Sequence, residues 1–143
     1  MRNKIIIILS FIIMFSCGND DCENIFPLIP QISISIEDID GNSLLGEENI
    51  YKPSEITLTR GNQNIQLIFE ETEGKIILYL DYTDMESGQD YLLKLNDVET
   101  DILNLTICVN KGECSDTLVV EKFLLNGEEI IKNAESFRYI IQK

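Results

Sequence analysis

Apolar and polar residues alternate along most of the chain, and this period of two limits the possible fold more than any other feature. The run 32–37 shows it most clearly, because it reads Ile-Ser-Ile-Ser-Ile-Glu. Successive side chains of an extended strand point to opposite faces, so such a run buries one face and exposes the other. The sustained 3.6-residue period that indicates helices occurs nowhere after residue 17.

Further alternating runs follow to the last residues, separated by turn residues. The pairs Gly61-Asn62, Glu73-Gly74 and Asn126-Gly127 are typical of tight turns. The segment 75–82 is apolar on both faces, which predicts a central strand. We predict an all-β fold, an antiparallel β-sandwich of about seven to nine strands, with a small closed barrel as the alternative. The predicted strands cover 31–37, 55–60, 64–71, 75–82, 91–95, 101–109, 117–125, 128–132 and 137–141.

The first sixteen residues have the three-part layout of a secretory signal peptide. Arg2 and Lys4 are basic, 5–15 is apolar apart from Ser10, and the small residue Ser16 ends the run. As a helix, eleven residues reach roughly 16 Å, against about 30 Å of hydrocarbon core. A buried N-terminal core element is the alternative, but the run has neither helical nor strand periodicity.

The end of this signal, 14–17, resembles a bacterial lipobox, in which a small residue precedes a cysteine that becomes acylated. The resemblance implies a lipid-attachment site at Cys17, with chains such as palmitate inserted in the membrane. Two or more chains hold a protein stably on a bilayer. The alternative is that Cys17 is an ordinary disulfide partner.

The segment 17–30, which contains Pro27 and Pro30, is acidic and is predicted to tether the sandwich domain, 31–143. Residues 18–24 resemble export signals of Bacteroidota surface lipoproteins. We expect an outer-membrane lipoprotein, on either the periplasmic face or the cell surface.

Charge and composition exclude several classes of function. The net charge is −14 at pH 7, and loss of Arg2 and Lys4 with the signal would take it to −16. Nucleic acid is therefore not expected as a partner, since phosphate binding relies on lysine and arginine. With no histidine in the chain, a zinc site and nucleophilic triads are not expected either. We expect no enzyme, no catalytic residue, no metal and no cofactor.

Three groups of acidic residues are candidates for chemical sites. Asp38, Asp40 and Asn42 resemble the start of a calcium loop, but Ser43 and Asn49 replace its glycine and its bidentate glutamate, so we interpret the segment as a turn. The clusters 70–73 and 84–86 are interpreted as solvated charges beside turns. A hydrolase that uses Glu70 and Glu86 is the least favoured alternative.

A disulfide is predicted between Cys108 and Cys114. If Val109 pairs with Glu113, the hairpin has a three-residue loop that ends in Gly112, and the two cysteines lie opposite each other. Opposed residues have Cα atoms about 4.5 to 5.5 Å apart, within the range of a disulfide. This register requires a bulge near 115–116 to keep the following strand in phase.

Other arrangements of the cysteines stay open. Cys108 and Cys114 are two buried thiols in one alternative, and Cys22 bridges to one of them in another.

Two stretches resemble a family of small Bacteroidota lipoproteins. They are Asp40-Gly41-Asn42-Ser43-Leu44-Leu45, followed by 51–53 and 55–58, and the later 101–103 with the 123–127 hairpin. The resemblance covers about residues 31 to 131. It implies an immunoglobulin-like or transthyretin-like sandwich of unknown function, and it brings no catalytic residues.

Two functions are expected from these observations. The first is a non-catalytic, lipid-anchored module that binds or assists a protein partner in the cell envelope. The second is a structural subunit that pairs with another chain through an exposed edge strand, predicted at 137–142.

Overall fold

The computed structural model describes residues 29–112 and 115–143. Ten strands and one short 3₁₀ turn, Pro53–Glu55, account for the regular structure of this part. No helix in it is long and apolar enough to cross a membrane. The strands are β1 Gln31–Glu37, β2 Thr57–Arg60, β3 Gln63–Ile65, β4 Leu67–Thr72, β5 Lys75–Asp81, β6 Asp90–Lys94, β7 Thr100–Lys111, β8 Asp116–Leu125, β9 Glu128–Glu129 and β10 Tyr139–Gln142.

The strands form two sheets, which confirms the predicted all-β sandwich architecture. A four-stranded sheet has the order β10-β1-β5-β4, and a six-stranded sheet has the order β3-β2-β6-β7-β8-β9. All pairs are antiparallel except β1 with β10, which is parallel. The parallel pair arises because the segment after β9 crosses to the other sheet before β10 begins.

The core lies between the sheets and is built from the inward residues of the alternating runs. β5 is central in its sheet, as predicted, because it pairs with β1 on one side and with β4 on the other. Its Ile77 and Leu78 are both buried although they point to opposite faces. Phe123 and Tyr139 stack with their ring centroids 4.7 Å apart, which joins the two sheets. Other core residues are Ile32, Ile34, Ile36, Leu58, Leu80, Tyr91, Leu93, Leu95, Leu103, Leu105 and Ile141.

The predicted strand over 64–71 is two strands in the structure. The break falls at Gln66, where the chain leaves β3 in the six-stranded sheet and enters β4 in the four-stranded sheet. Strands that change sheets in this way form the corners of a sandwich. The apolar alternation of Ile65 and Leu67 continues across the break, so the sequence pattern contains no sign of it.

The last strand begins later than predicted. Phe137 is 69% exposed and has a φ of 55°, so it belongs to the turn that precedes β10 rather than to the strand. The backbone N–H of Phe137 donates to the carbonyl of Asn133 at 2.9 Å, which closes this turn. Tyr139 and Ile141 are buried as the alternation predicts.

Three predicted turns are confirmed. Gly61 and Asn62 connect β2 to β3, and Glu73 and Gly74 connect β4 to β5. Asn126 and Gly127 have φ values of 52° and 84°, and they connect β8 to β9. Positive φ at both central residues is the geometry of the two-residue hairpin that Asn-Gly favours.

The register of the β7–β8 hairpin differs from the prediction. Cys108 lies opposite Val119, and the pairing continues to Lys111 opposite Asp116. The pairing of Val109 with Glu113 is therefore wrong, because the longer register pairs Val109 with Leu118.

A bulge is present in this hairpin, but not near 115–116. Thr106 pairs with Lys122 and Ile107 with Val120, which leaves Glu121 as the extra residue. This extra residue keeps both Val120 and Phe123 on the side that packs against the core.

Candidate functional site

β4 is an edge strand whose outer side has no partner strand in the described part of the chain. It pairs with β5 along all six residues, from Leu67 opposite Leu80 to Thr72 opposite Lys75. The four-stranded sheet ends there. An unpaired edge presents backbone donors and acceptors to which another chain can add a strand.

A groove of about 370 Å³ lies beside the first half of β4. Leu67 and Phe69, both half-buried, form its β4 side. The other side comes from half-buried Pro53 of the 3₁₀ turn, from buried Ile56 just before β2, and from buried Ile65 of β3. The polar residues Thr57, Asn64 and Gln66 also line the groove. The change of sheet at Gln66 lies at this groove, because Gln66 and its two neighbours, Ile65 of β3 and Leu67 of β4, all line it. We call it the β4 groove.

The second half of β4 is acidic. Glu70 and Glu71 are exposed, and Glu73 follows in the turn to β5. Glu71 also lines a hollow of about 280 Å³ with Glu47 and Glu48. None of the ion pairs between described residues involves any of these five carboxylates.

The predicted edge strand 137–142 is less open than β4. Its first residues belong to a turn, and β10 has only four residues. Lys132 forms an antiparallel bridge with Tyr139 on the side away from β1. The unpaired edge to which another strand could be added is therefore longer at β4 than at β10.

A second polar cluster lies at one end of the sandwich and joins the two sheets. Lys143, the residue after β10, contacts Asp101 at 2.6 Å and Glu99 at 2.7 Å. The Tyr51 hydroxyl donates to Glu99 at 2.6 Å, and the amide of Asn126 donates to Asp101 at 2.8 Å. Asp101 is only 4% exposed, and its carboxylate is held by these two partners.

The charges in this cluster stabilise one another. The hydrogen bond from Lys143, together with that from Tyr51, lowers the pKa of Glu99. Burial lowers the pKa of Lys143, but the hydrogen bonds to Asp101 and Glu99 outweigh it, and the pKa is raised overall. Burial, followed by the hydrogen bond to Glu99, raises the pKa of Tyr51 well above its usual range. The cluster thus holds its residues in fixed charge states, which is typical of a structural role.

The two carboxylates of the hydrolase alternative belong to different parts of the sandwich. Glu70 is on β4, opposite Ile77. Glu86 is in the loop between β5 and β6 and forms an ion pair with Arg60 at 2.9 Å. Arg60 belongs to the six-stranded sheet, so the two glutamates are in separate environments.

The segment around Asp38 is a turn, as interpreted from the sequence. The Asp38 carboxylate accepts hydrogen bonds from the backbone N–H groups of Asp40 and Asn42 and from the Asn42 side chain. These bonds, the one from the Asn42 side chain above all, lower the pKa of Asp38. No group of three or more acidic or cysteine residues that could hold a metal ion occurs among residues 29–112 and 115–143.

The cysteines are described only in part. Cys108 is an exposed free thiol on β7. The predicted lipid site Cys17 and the alternative disulfide partner Cys22 lie outside the described residues, as does Cys114, the predicted partner of Cys108. The strand opposite Cys108 offers Val119 rather than a cysteine.

Sequence reasoning missed the β4 edge as a site. The sequence predicted a strand over 64–71 and solvated charges at 70–73, but it placed the exposed edge strand at 137–142. The only signal in the sequence was the closeness of an apolar strand to three glutamates within 70–73.

Comparison with known proteins adds no assignment. No protein-family model, no curated protein and no solved structure matches this chain.

Proposed function

We propose that the protein is a non-catalytic, lipid-anchored module of the outer membrane that binds another envelope protein by adding a strand to β4. The observation that carries the proposal is the open six-residue edge of β4 beside a groove to which Leu67 and Phe69 contribute. Backbone hydrogen bonds to such an edge provide affinity, and pockets for alternate side chains provide specificity.

The non-catalytic part of the proposal is supported by the state of the buried polar groups. Every buried side-chain nitrogen or oxygen in the described residues has a hydrogen-bond partner. The buried carboxylate, Asp101, is committed to Lys143 and Asn126. A catalytic group needs access to its substrate, whereas Asp101 is only 4% exposed.

The anchoring part rests on the sequence. Cys17 ends an apolar signal, and β1 begins at Gln31, so thirteen residues separate the proposed lipid from the sandwich. A tether of this length lets the domain stand away from the bilayer and present β4. The immunoglobulin-like or transthyretin-like assignment of the sandwich stays a prediction.

A structural subunit that pairs with its own copies is the second candidate, because the same edge would serve it. Charge disfavours it. Each copy carries at β4 carboxylates that have no ion pair among the described residues, and its net charge is −16 once the signal is lost, so two such edges repel each other.

Two measurements test the proposal. Metabolic labelling with an alkyne-tagged palmitate should show label in the wild type and none in Cys17→Ala. Unlabelled wild-type protein, or label that persists in Cys17→Ala, would contradict the anchor.

The binding role is tested in cells by placing the photoreactive residue p-benzoylphenylalanine at Glu70, with the same residue at exposed Glu128 of β9 as the matched control. We expect a discrete adduct only from position 70, and tandem mass spectrometry should map it to one segment of a different envelope protein. No adduct, equal adducts from both positions, or an adduct only to copies of this chain would overturn the proposal.

A further inference from the structure

We propose that the segment captured by β4 is an extended stretch of a partner protein with apolar residues at alternate positions and lysine or arginine beside them. This inference rests on the proposed function and adds the chemical class of the partner. Three features of the described residues carry it: the backbone of the edge, the β4 groove and the unpaired carboxylates.

The backbone requires an extended partner. In an antiparallel ladder, residues alternately direct their N–H and C=O groups to one neighbour and to the other. β4 uses one side of this pattern to pair with β5 over its whole length. About three of its six residues therefore direct both groups outward, where only another strand satisfies them at regular spacing.

The β4 groove requires apolar residues at every second position of that strand. Leu67 and Phe69 are two residues apart on β4, and both line the groove. A strand added beside them places its own alternate side chains over the groove at the same spacing of roughly 6.5 Å. Ile56 and Ile65 add apolar side chains on the far side, beside the polar residues Thr57, Asn64 and Gln66.

The carboxylates require positive charge at the other end. Glu70, Glu71 and Glu73 have no ion-pair partner among the described residues, and neither do Glu47 and Glu48. Lys75, the basic residue opposite Thr72, is already engaged by the Glu37 carboxylate at 3.1 Å and by the Gly41 carbonyl at 2.8 Å. A partner with lysine or arginine here gains charge pairs that the domain itself does not supply.

The same charges oppose pairing of the β4 edge with the β4 edge of a second copy of the chain. Glutamates on an edge strand hinder the pairing of identical edges, since like charges lie close together. A second copy would bring its own Glu70 and Glu71 to this edge. The charge pattern thus permits pairing with a basic segment and opposes pairing with itself.

The test measures how tightly the full chain in detergent binds three synthetic decapeptides. Fluorescence anisotropy of each labelled peptide reports its binding. The first alternates valine with lysine, and the second alternates valine with glutamate. The third is the valine–lysine peptide with N-methyl groups on alternate residues, which removes backbone donors but keeps charge and side chains. We expect binding of the first, at least about tenfold weaker binding of the other two, and weakening of the first by salt.

Charge reversal at the edge supplies the decisive comparison. The variant Glu70→Lys/Glu71→Lys should lose the valine–lysine peptide and gain the valine–glutamate peptide. The matched control, Glu128→Lys/Glu135→Lys, changes the net charge equally at exposed positions outside β4 and should bind as the wild type does. Hydrogen exchange of the β4 amides should slow only when the first peptide is bound to the wild type or the control.

The inference would be overturned if all three peptides bound equally well, or if the amides protected from exchange lay outside β4. It would also be overturned if the control variant, like the β4 variant, came to prefer the valine–glutamate peptide. A dimer of the chain that is lost in Glu70→Lys/Glu71→Lys would overturn it as well. If crosslinking from position 70 succeeds while the peptide preference fails, only the partner class is wrong. If no crosslink forms, the proposed function itself fails.

Discussion

Lys143 Nζ lies 2.6 Å from a carboxylate oxygen of Asp101, so an ion pair joins the end of β10 in one sheet to β7 in the other. The side chain of Asp101 is 5% exposed and that of Lys143 is 17% exposed. The backbone N–H of Lys143 also donates to the Glu37 carbonyl at 3.0 Å. Together with the ion pair from Lys143 to Glu99 at 2.7 Å, this contact helps to hold the parallel β1–β10 pair in place.

Removal of the lysine should destabilise the domain strongly. Lys143→Met leaves Asp101 buried without its cation, and we expect a loss of about 3 kcal/mol in the free energy of unfolding. Chemical denaturation followed by circular dichroism measures it. Lys132→Met, at an exposed lysine without an ion pair, is the control and should change stability by less than about 0.5 kcal/mol. Equal effects of the two substitutions would contradict the structural role of the pair.

The same cluster predicts how stability depends on pH in acid. The pKa of Glu99 is lowered in the folded state, so its contribution is present above the unfolded pKa of about 4.3 and is lost as the pH falls through the folded value. Between these two pKa values, Glu99→Gln should therefore lose less stability than the wild type as the pH falls. Denaturant midpoints at a series of pH values below 5 measure it, and parallel curves for the two proteins would contradict the prediction.

In alkali the cluster makes stability fall as the pH rises, which is the opposite of its effect in acid. The pKa values of Lys143 and Tyr51 are raised on folding, so their contributions are present below the unfolded values, about 10.4 and 10, and are lost as the pH rises through the folded values. Tyr51→Phe should flatten the decline in stability above about pH 10, because it removes one of the groups whose pKa is raised on folding. Denaturant midpoints in this range check it, and Tyr79→Phe, at a half-buried tyrosine on β5, is the control.

Substitution of Phe123 and Phe137 tests whether β10 begins after Phe137. Phe123 is 1% exposed and stacks on Tyr139, so Phe123→Ala should cost about 3 to 5 kcal/mol of stability. Phe137 is exposed in a turn, so Phe137→Ala should change stability by less than about 0.5 kcal/mol. Thermal unfolding of the two variants measures both. A large loss at Phe137 would mean that it belongs to the buried face of the strand after all.

The register of the β7–β8 hairpin is tested by a designed disulfide. Val119 lies opposite Cys108, and opposed residues are within disulfide distance, so Val119→Cys should form a bridge with Cys108 in a chain where Cys22 and Cys114 are replaced by serine. Leu118→Cys in the same background is opposite Val109 instead and should keep both thiols free. Thiol titration after mild oxidation distinguishes them. Free thiols in the Val119→Cys protein would contradict this register.

Local pattern was sufficient for much of the fold. Alternation showed which apolar side chains of β1 are buried, namely Ile32, Ile34 and Ile36, because successive side chains of a strand point to opposite faces. It did not show that Ser35, on the opposite face, is buried as well. Asn126-Gly127 was enough to place a tight hairpin, since both residues tolerate positive φ. The two apolar faces of β5 were enough to make it central, because a strand buried on both faces is typically interior in its sheet.

Neighbours in the sheets were decided by the tertiary structure. The period of two does not indicate which strands are neighbours. It therefore could not predict three features: the break at Gln66, the parallel β1–β10 pair, and the register that places Cys108 opposite Val119. The candidate site depends on the same information. Glu70 and Glu71 were recognisable as exposed charges, but their place on an open edge follows from β4 being last in its sheet. Backbone hydrogen bonds between distant segments set that order, and they leave no trace in the local pattern of side chains.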